Sequence, residues 1–315
     1  MTTSLTPLLP LSRSAVDRDY LTRSRPDLLA ELRADPTALA VVLSGGKALI
    51  TPEEGARLDL LPLAAVPDST LSVYLGRPMS GRLAGVPITA VVISPEEGHL
   101  LAPEPERWGD LRTLATELDA LHAGLFTQAL AITNWHASHG FSPRTGEPTL
   151  PGQGGWVRYP AGHHDERGGK HVFPRTDPAI IVGVTDEQDR LLLGANAQWG
   201  GDRYSILAGF VEPGESLEAA VVREMKEESG LTVVAPEYVG SQPWPFPASI
   251  MIGFRARIDP AFGTEPVPDG VEIVDLRWFT REQLADGART VGIPGRASIA
   301  RAIIEQWFGG PLDAP

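Results

Sequence analysis

One segment limits what this chain can fold into more than any other: Gly209-Phe-Val-Glu-Pro-Gly-Glu215-Ser-Leu-Glu-Ala-Ala-Val-Val-Arg223-Glu224-Met-Lys-Glu227-Glu228-Ser-Gly230-Leu231. Pro213-Gly214 makes a turn, and Ser216 stands where a hydroxyl caps the helix that follows. Gly230 stops that helix, because glycine takes the left-handed conformation without strain. In between, Leu217, Ala220, Val221 and Met225 recur at helical spacing and should face a core. Glu224, Glu227 and Glu228 stand at i, i+3 and i+4, so three carboxylates emerge on one helix face. They repel one another and weaken an isolated helix. A hard divalent cation removes the conflict, because Mg²⁺ takes oxygen ligands and bridges readily to phosphates. A bare E-x-x-E-E is more often a solvated acidic face. The residues around it decide between the two.

Composition narrows the surroundings. At 315 residues the chain is long for one domain and comfortable for two. It is 42% hydrophobic and 21% charged, which is ordinary for a folded protein. It has no cysteine, which excludes disulfides, thiolate zinc sites, iron–sulfur clusters and a cysteine nucleophile. The net charge of −13 disfavours broad binding along a nucleic-acid backbone and leaves room for a small basic nucleotide pocket. Met1–Leu11 has no basic region leading into an apolar core, and no apolar run reaches the ~18 residues of a membrane span. No membrane is expected as a partner, and the cytoplasm is the expected location.

Along the chain, Leu39–Leu43, Ala48–Thr51, Leu71–Leu75 and Val86–Ser94 read as strands separated by Pro and Gly. Residues 109–139 read as helical, with Leu111, Leu114, Leu118, Leu121, Leu125, Ala129 and Ile132 forming one apolar stripe. Residues 140–175, rich in Gly, Pro and His, break the pattern and read as a connector. Ala179–Val184 and Arg190–Leu193 read as a strand pair around a turn at Asp186–Asp189, and Tyr204–Leu207 as a strand entering the acidic segment. The expected organisation is an N-terminal α/β domain over 1–139, the connector over 140–175, and a second domain over 176–310.

Gly209, Glu215, Arg223, Glu224, Met225, Glu227, Glu228, Gly230 and Leu231 match the Nudix box, G-x5-E-x7-R-E-U-x-E-E-x-G-U, without a mismatch. Ten residues later, Ser241-Gln-Pro-Trp-Pro-Phe-Pro-Ala-Ser249 resembles the SQPWPFPxS signature of the NADH pyrophosphatases, the NudC-type Nudix hydrolases. Physically that string is stiff, because three prolines restrict its backbone. Trp244 and Phe246 offer apolar ring faces, and Gln242 and Ser249 offer hydrogen bonds, as a planar ring and a ribose require.

The resemblance implies a Nudix α/β/α sandwich with a mixed sheet in residues 176–310. It also implies a metal site of Glu224, Glu227 and Glu228, the carbonyl of Ala208, and a distant glutamate. That glutamate is matched to Glu272, six residues before Trp278, with Asp275 as the competitor. Catalytic roles fall on Glu224, Glu227, Glu228 and Glu272, with Glu227 and Glu272 the alternatives for general base. Arg223 is expected to pair with Glu215 and brace the loop. Substrate contacts are implied for Phe173, Phe210, Gln242, Pro243, Trp244, Pro245, Phe246, Pro247, Ala248, Ser249 and Ala300, and more weakly for Arg112.

Many relatives carry a four-cysteine zinc ribbon in the connector. Here Ser142, Thr145, Pro160 and His163 stand roughly where the cysteines would be, so no zinc is expected and the ribbon is degenerate. His163, His164 and His171 read as exposed loop histidines. The implied reaction is Mg²⁺- or Mn²⁺-dependent hydrolysis of the pyrophosphate bond of NADH or NAD⁺, giving AMP and the nicotinamide mononucleotide. By the same resemblance it extends to NAD caps at RNA 5′ ends, in a homodimer. The competing readings are a Nudix hydrolase for ADP-ribose or dinucleoside polyphosphates, and a catalytically silent nucleotide-sensing module.

Overall fold

The computed structural model describes residues 4–51, 56–67, 71–161, 171–199, 203–287 and 291–312. The chain divides into two compact units, and neither is continuous in sequence. One comprises Met1–Ser12, Asp177–Pro243 and Ser249–Pro315; the other comprises Arg13–Thr176 and Trp244–Ala248. This grouping differs from the three consecutive segments expected. The start of the chain is drawn to the C-terminal unit because the Leu5 N–H bonds the Val239 carbonyl at 2.7 Å and Leu9 is buried in that core. The connector and the short stretch 244–248 belong instead to the N-terminal unit.

The N-terminal unit is built on a sheet of β1 (Val16–Asp17), β2 (Leu39–Ser44), β3 (Lys47–Thr51), β4 (Arg57–Leu58), β5 (Leu60–Pro62), β6 (Leu71–Pro78), β7 (Ile88–Val92) and β8 (Trp108–Gly109). Its main path runs β1-β6-β7-β2-β3-β4, with β5 beside β2 and β8 beside β3. The β2–β7 pair is parallel and the β6–β7 pair antiparallel, so the sheet is mixed. α1 (Leu28–Ala34) and α2 (Pro95–Leu101) precede α3 (Leu111–Leu114) and α4 (Ala120–Ser138).

The continuous helix expected over 109–139 is broken between α3 and α4, where Asp119 caps the start of α4 through the His122 N–H at 2.9 Å. Nor does α4 carry a single apolar stripe. His122 through Leu130 are all buried, followed by Ile132, Thr133, Trp135 and His136. A helix buried all round lies inside its domain, and its polar residues must find partners there. The Gln128 amide, for example, donates to the Leu75 carbonyl at 2.8 Å.

The connector forms an antiparallel pair of β9 (Thr149–Gly152) and β10 (Val157–Pro160). Ser142 sits in a tight turn whose Oγ accepts from the N–H groups of Arg144 and Thr145, both at 3.3 Å. His163 and His164 lie outside the described residues.

In the C-terminal unit the sheet order is β14 (Val233–Trp244), β15 (Ser249–Ile258), β11 (Asp177–Thr185), β12 (Leu191–Asn196) and β16 (Ile273–Phe279). β13 (Leu207–Phe210) pairs with β11. β11 runs parallel to β15 over Asp177–Thr185 and antiparallel to β13, so this sheet is mixed as well. Alternation along β11 assigns the two faces. Ile180, Val182 and Val184 pack on Ala220, Val221 and Met225 of α5 (Leu217–Ser229). Ile181 packs on the other side with Ile299, Ile303 and Ile304 of α7 (Ile299–Phe308), while α6 (Arg281–Gly287) contributes Leu284. The α/β/α layering follows, and a strand covered on both faces reads as the unbroken apolar run seen at 179–184. The strand expected at Tyr204–Leu207 begins later, at Leu207. Ser205 makes only an isolated bridge to Gly194.

Candidate active site

α5 forms as its sequence dictates. Ser216 Oγ accepts from the Ala219 N–H at 3.2 Å, and Gly230 ends the helix at φ 68°, its N–H on the Lys226 carbonyl. The loop before the helix is tied down by Arg223. Its guanidinium bonds both Glu215 oxygens, at 2.5 and 3.1 Å, and the Phe210 carbonyl at 2.9 Å. Glu215 also accepts the Glu212 N–H at 2.8 Å, and these donors hold its carboxyl below the usual range, Arg223 most of all. Arg223 also reaches Glu224 and Glu227, each at 2.9 Å.

Glu224 lies against β13. A Cβ on Gly209 would stand 2.0 Å from the Glu224 carboxyl carbon, so this glycine makes room for the carboxylate. Burial raises the Glu224 pKa, with the neighbouring charges of Glu227 and Glu272 adding to it. Glu228 is buried more deeply, at 5% exposure, and its Oε2 has no hydrogen-bond partner among the described residues. Burial pushes its pKa up to about 8, reinforced by the charges of Glu224, Glu272, Asp269 and Glu227. Glu227 is 59% exposed at its side chain.

An unpaired carboxylate in such a place costs several kcal/mol unless protonated or matched by a cation. The donor set is all oxygen and anionic, which suits Mg²⁺ or Mn²⁺. In the present side-chain arrangement no three acidic or imidazole groups among the described residues converge as a finished cage. Glu224 and Glu227 turn to Arg223 instead.

Glu272 and its competitor Asp275 are separated by their surroundings. The Asp269 carboxylate receives the N–H groups of Val271, Glu272 and Ile273 at 2.9, 3.0 and 2.9 Å, fixing the turn that presents Glu272. The charge of Glu272 is felt by both Glu224 and Glu228. Asp275 is engaged elsewhere, with Arg277 at 2.7 Å and the Tyr204 hydroxyl. Ala208 sits beside Gly209 on β13, opposite Ile181. Phe210, at the strand's end, is 60% exposed.

The other expected substrate residues separate into groups. In the C-terminal unit, Gln242 is fully buried. Its amide donates to the Ala297 carbonyl and accepts the Ile299 N–H, both at 2.8 Å. Both ends are thus spent on the start of α7. Ala300 is buried beside it in the core, with its N–H on Ser298 Oγ at 3.1 Å. Pro243 and Ser249 flank the stretch Trp244–Ala248; Ser249 opens β15 opposite Asp177.

In the N-terminal unit, Trp244 and Phe246 meet edge to face at 5.0 Å, and the Arg112 guanidinium lies over Phe246 at 4.1 Å. Pro245 is buried, Ala248 half-buried and Pro247 exposed. Phe173 is 63% exposed, with its ring edge to face with His171 at 5.7 Å.

Residues 174–302 match the NUDIX domain family, and residues 37–135 match the NADH pyrophosphatase-like rudimentary NUDIX domain. The chain is 39% identical over 314 residues to the NAD-capped RNA hydrolase NudC of Mycobacterium bovis, covering 93% of each. The chain belongs to the NudC family of Nudix hydrolases. A second relative, NAD-capped RNA hydrolase NudC of Stutzerimonas stutzeri, is 39% identical over 66% of this chain and 70% of its own. NAD-capped RNA hydrolase NUDT12 of Macaca fascicularis is also 39% identical, over 61% of this chain and 43% of its own.

The connector has a closed polar interior of its own. Arg158 is buried and donates to Thr149 Oγ1, the Thr149 carbonyl and His136 Nδ1, each at 2.7 Å. His136 Nε2 meets the Gly155 carbonyl at 2.7 Å. One nitrogen therefore accepts and the other donates, which requires neutral imidazole, and burial pulls its pKa down to about 4. This knot joins β9, β10 and α4. Sequence reasoning misses it, because Arg158 in a Gly/Pro-rich stretch has no periodicity to mark it as buried; it also misses the turn that the exposed Asp269 fixes by accepting three backbone N–H groups.

Proposed function

We propose that the protein hydrolyses the pyrophosphate bond of NAD(H), releasing AMP and the nicotinamide mononucleotide, and removes NAD caps from RNA 5′ ends. The reaction class is carried by one observation: the buried, unpartnered Glu228 carboxylate oxygen among the like charges of an intact Nudix box. The substrate class is supported by relatives named NAD-capped RNA hydrolases and by the ring surface of Trp244, Phe246 and Arg112.

Glu224, Glu227, Glu228, Glu272 and the Ala208 carbonyl are the residues that would hold Mg²⁺ or Mn²⁺. When bound, such cations neutralise diphosphate charge and acidify water. Around them, Arg223 and Glu215 keep the Gly209–Glu215 loop against α5, and Gly209 keeps Glu224 close to β13. Glu227, the most exposed box carboxylate, and Glu272, on its turn, are the alternatives for accepting the proton of the attacking water. The family resemblance supports a homodimer, and among the described residues no helix is long and apolar enough to cross a membrane.

The test is product analysis with NADH, NAD⁺, NAD-capped RNA, ADP-ribose and a dinucleoside polyphosphate at fixed Mg²⁺ and Mn²⁺. AMP and nicotinamide mononucleotide as main products support the reading. Preferential cleavage of ADP-ribose or the polyphosphate would replace it, and cleavage of none would leave a silent sensor.

A further inference from the structure

The strap Trp244–Ala248 is an awkward piece of backbone. Pro243, Pro245 and Pro247 alternate with the ring-bearing residues, so every second N–H is missing. The Phe246 N–H is used within the strap, on the Trp244 carbonyl at 2.7 Å. The carbonyls of Pro245 and Pro247 therefore need donors from outside. Asn134 supplies them. Its Nδ2 lies 3.0 Å from the Pro245 oxygen and 3.1 Å from the Pro247 oxygen. A side-chain amide has two N–H donors, and here they meet two acceptors. Both partners are carbonyls, so the orientation of the amide is settled by chemistry. The support behind Asn134 is firm, since it sits on α4 between the buried Thr133 and Trp135.

We infer that Asn134 is the positioning residue of the ring-binding strap, holding the backbone on either side of Phe246 so that Trp244 and Phe246 keep their edge-to-face geometry for a planar ring of the substrate. No sequence motif marks Asn134, because it lies 110 residues before the strap and belongs to a helix with no chemistry of its own.

This inference rests on the NAD(H) reading, and the experiment separates the two. Steady-state hydrolysis of NADH is measured for the wild type, Asn134→Ser and Asn134→Asp at saturating metal. Asn134→Ser deletes both amide donors without adding charge. Asn134→Asp keeps the shape and faces the two carbonyls with a carboxylate. We expect KM for NADH to rise roughly tenfold in Asn134→Ser and further in Asn134→Asp, as two lost hydrogen bonds imply. The value of kcat should stay within about twofold, with unchanged metal dependence, because the strap binds a ring and does not touch the chemistry. A merely structural role would lower the melting temperature and leave KM where it was, and that result overturns the inference. An equal fall of kcat at constant KM overturns it too. A wild type without activity on NADH defeats the NAD(H) reading and takes the inference with it.

Discussion

Two buried charged clusters, one in each unit, are built on opposite principles. In the connector, Arg158 spends its donors on Thr149 and His136, and His136 passes the chain on to Gly155, so every named atom has a partner. In the Nudix unit, Glu228 is buried to a similar degree, yet one of its oxygens has none and the charges around it are of its own sign. Desolvation is costly in both places; only the first is offset from within the protein. A closed polar network fixes a fold. An open one, with more carboxylates than Arg223 pairs, is completed by a ligand of the other sign, which is why the second cluster, and not the first, is where chemistry is expected.

The sharpest break in this comparison is Glu228→Gln. It should lower metal-dependent hydrolysis about 10³-fold, since several kcal/mol of charge stabilisation are lost at roughly 1.4 kcal/mol per decade. The same variant should melt higher than the wild type in chelator at neutral pH, because the wild-type carboxyl must take up a proton on folding and the amide need not. If both activity and metal-free melting were unaltered, the cluster would be an ordinary acidic surface. Arg158→Ala should do the reverse. Leaving His136 and Thr149 without their partner should cost about 3–5 kcal/mol by denaturant titration, with kcat per folded molecule preserved. Gly209→Ala sharpens the geometry of the first cluster. The new methyl displaces only the mobile end of Glu224, so the fold should persist while activity falls about 10²-fold.

The smallest effects are in pH, and they run in opposite directions. Glu228 has its folded pKa raised to about 8 from 4.5, so the folded state holds the extra proton between those values. Its contribution to metal-free stability is therefore present below about pH 4.5 and is lost as pH rises toward about 8. His136 is lowered to about 4 from 6.5, so the unfolded state takes the proton first. Its contribution is present above pH 6.5 and is lost as pH falls toward about 4. Hydrogen exchange of metal-free protein across this range should show the Nudix unit loosening on the alkaline side and the N-terminal unit on the acid side. Saturating Mn²⁺ should abolish the alkaline trend alone, and Glu228→Gln should do the same without metal.

Much of the Nudix unit is legible from local chemistry. Ser216, Gly230 and the spacing of Ala220, Val221 and Met225 define α5 within a few residues of one another, and the unbroken run of β11 announces a strand covered on both faces. The strand entering the box begins later than its apolar residues suggest, because Tyr204 and Ile206 are as apolar as Leu207. They are buried by the core on the α7 side without joining the ladder. The leucines of α4 fall on one stripe and suggest a one-sided helix, although its polar residues are buried as well.

By itself the sequence determined the capped acidic helix, the three carboxylates on its face and the stiff aromatic string, because each depends on residues within a turn or two of one another. Only the tertiary structure decided which carboxylate is buried without a partner, and that the charge of Glu272 bears on Glu224 and Glu228 while Asp275 pairs with Arg277. It alone revealed that Gln242 braces α7, that Arg158 and His136 close the ribbon, and that Asn134 holds the strap. Each of these turns on desolvation or on a donor meeting an acceptor that lies beyond its own element in the sequence. Such pairings are fixed by packing, and packing leaves no period in a sequence.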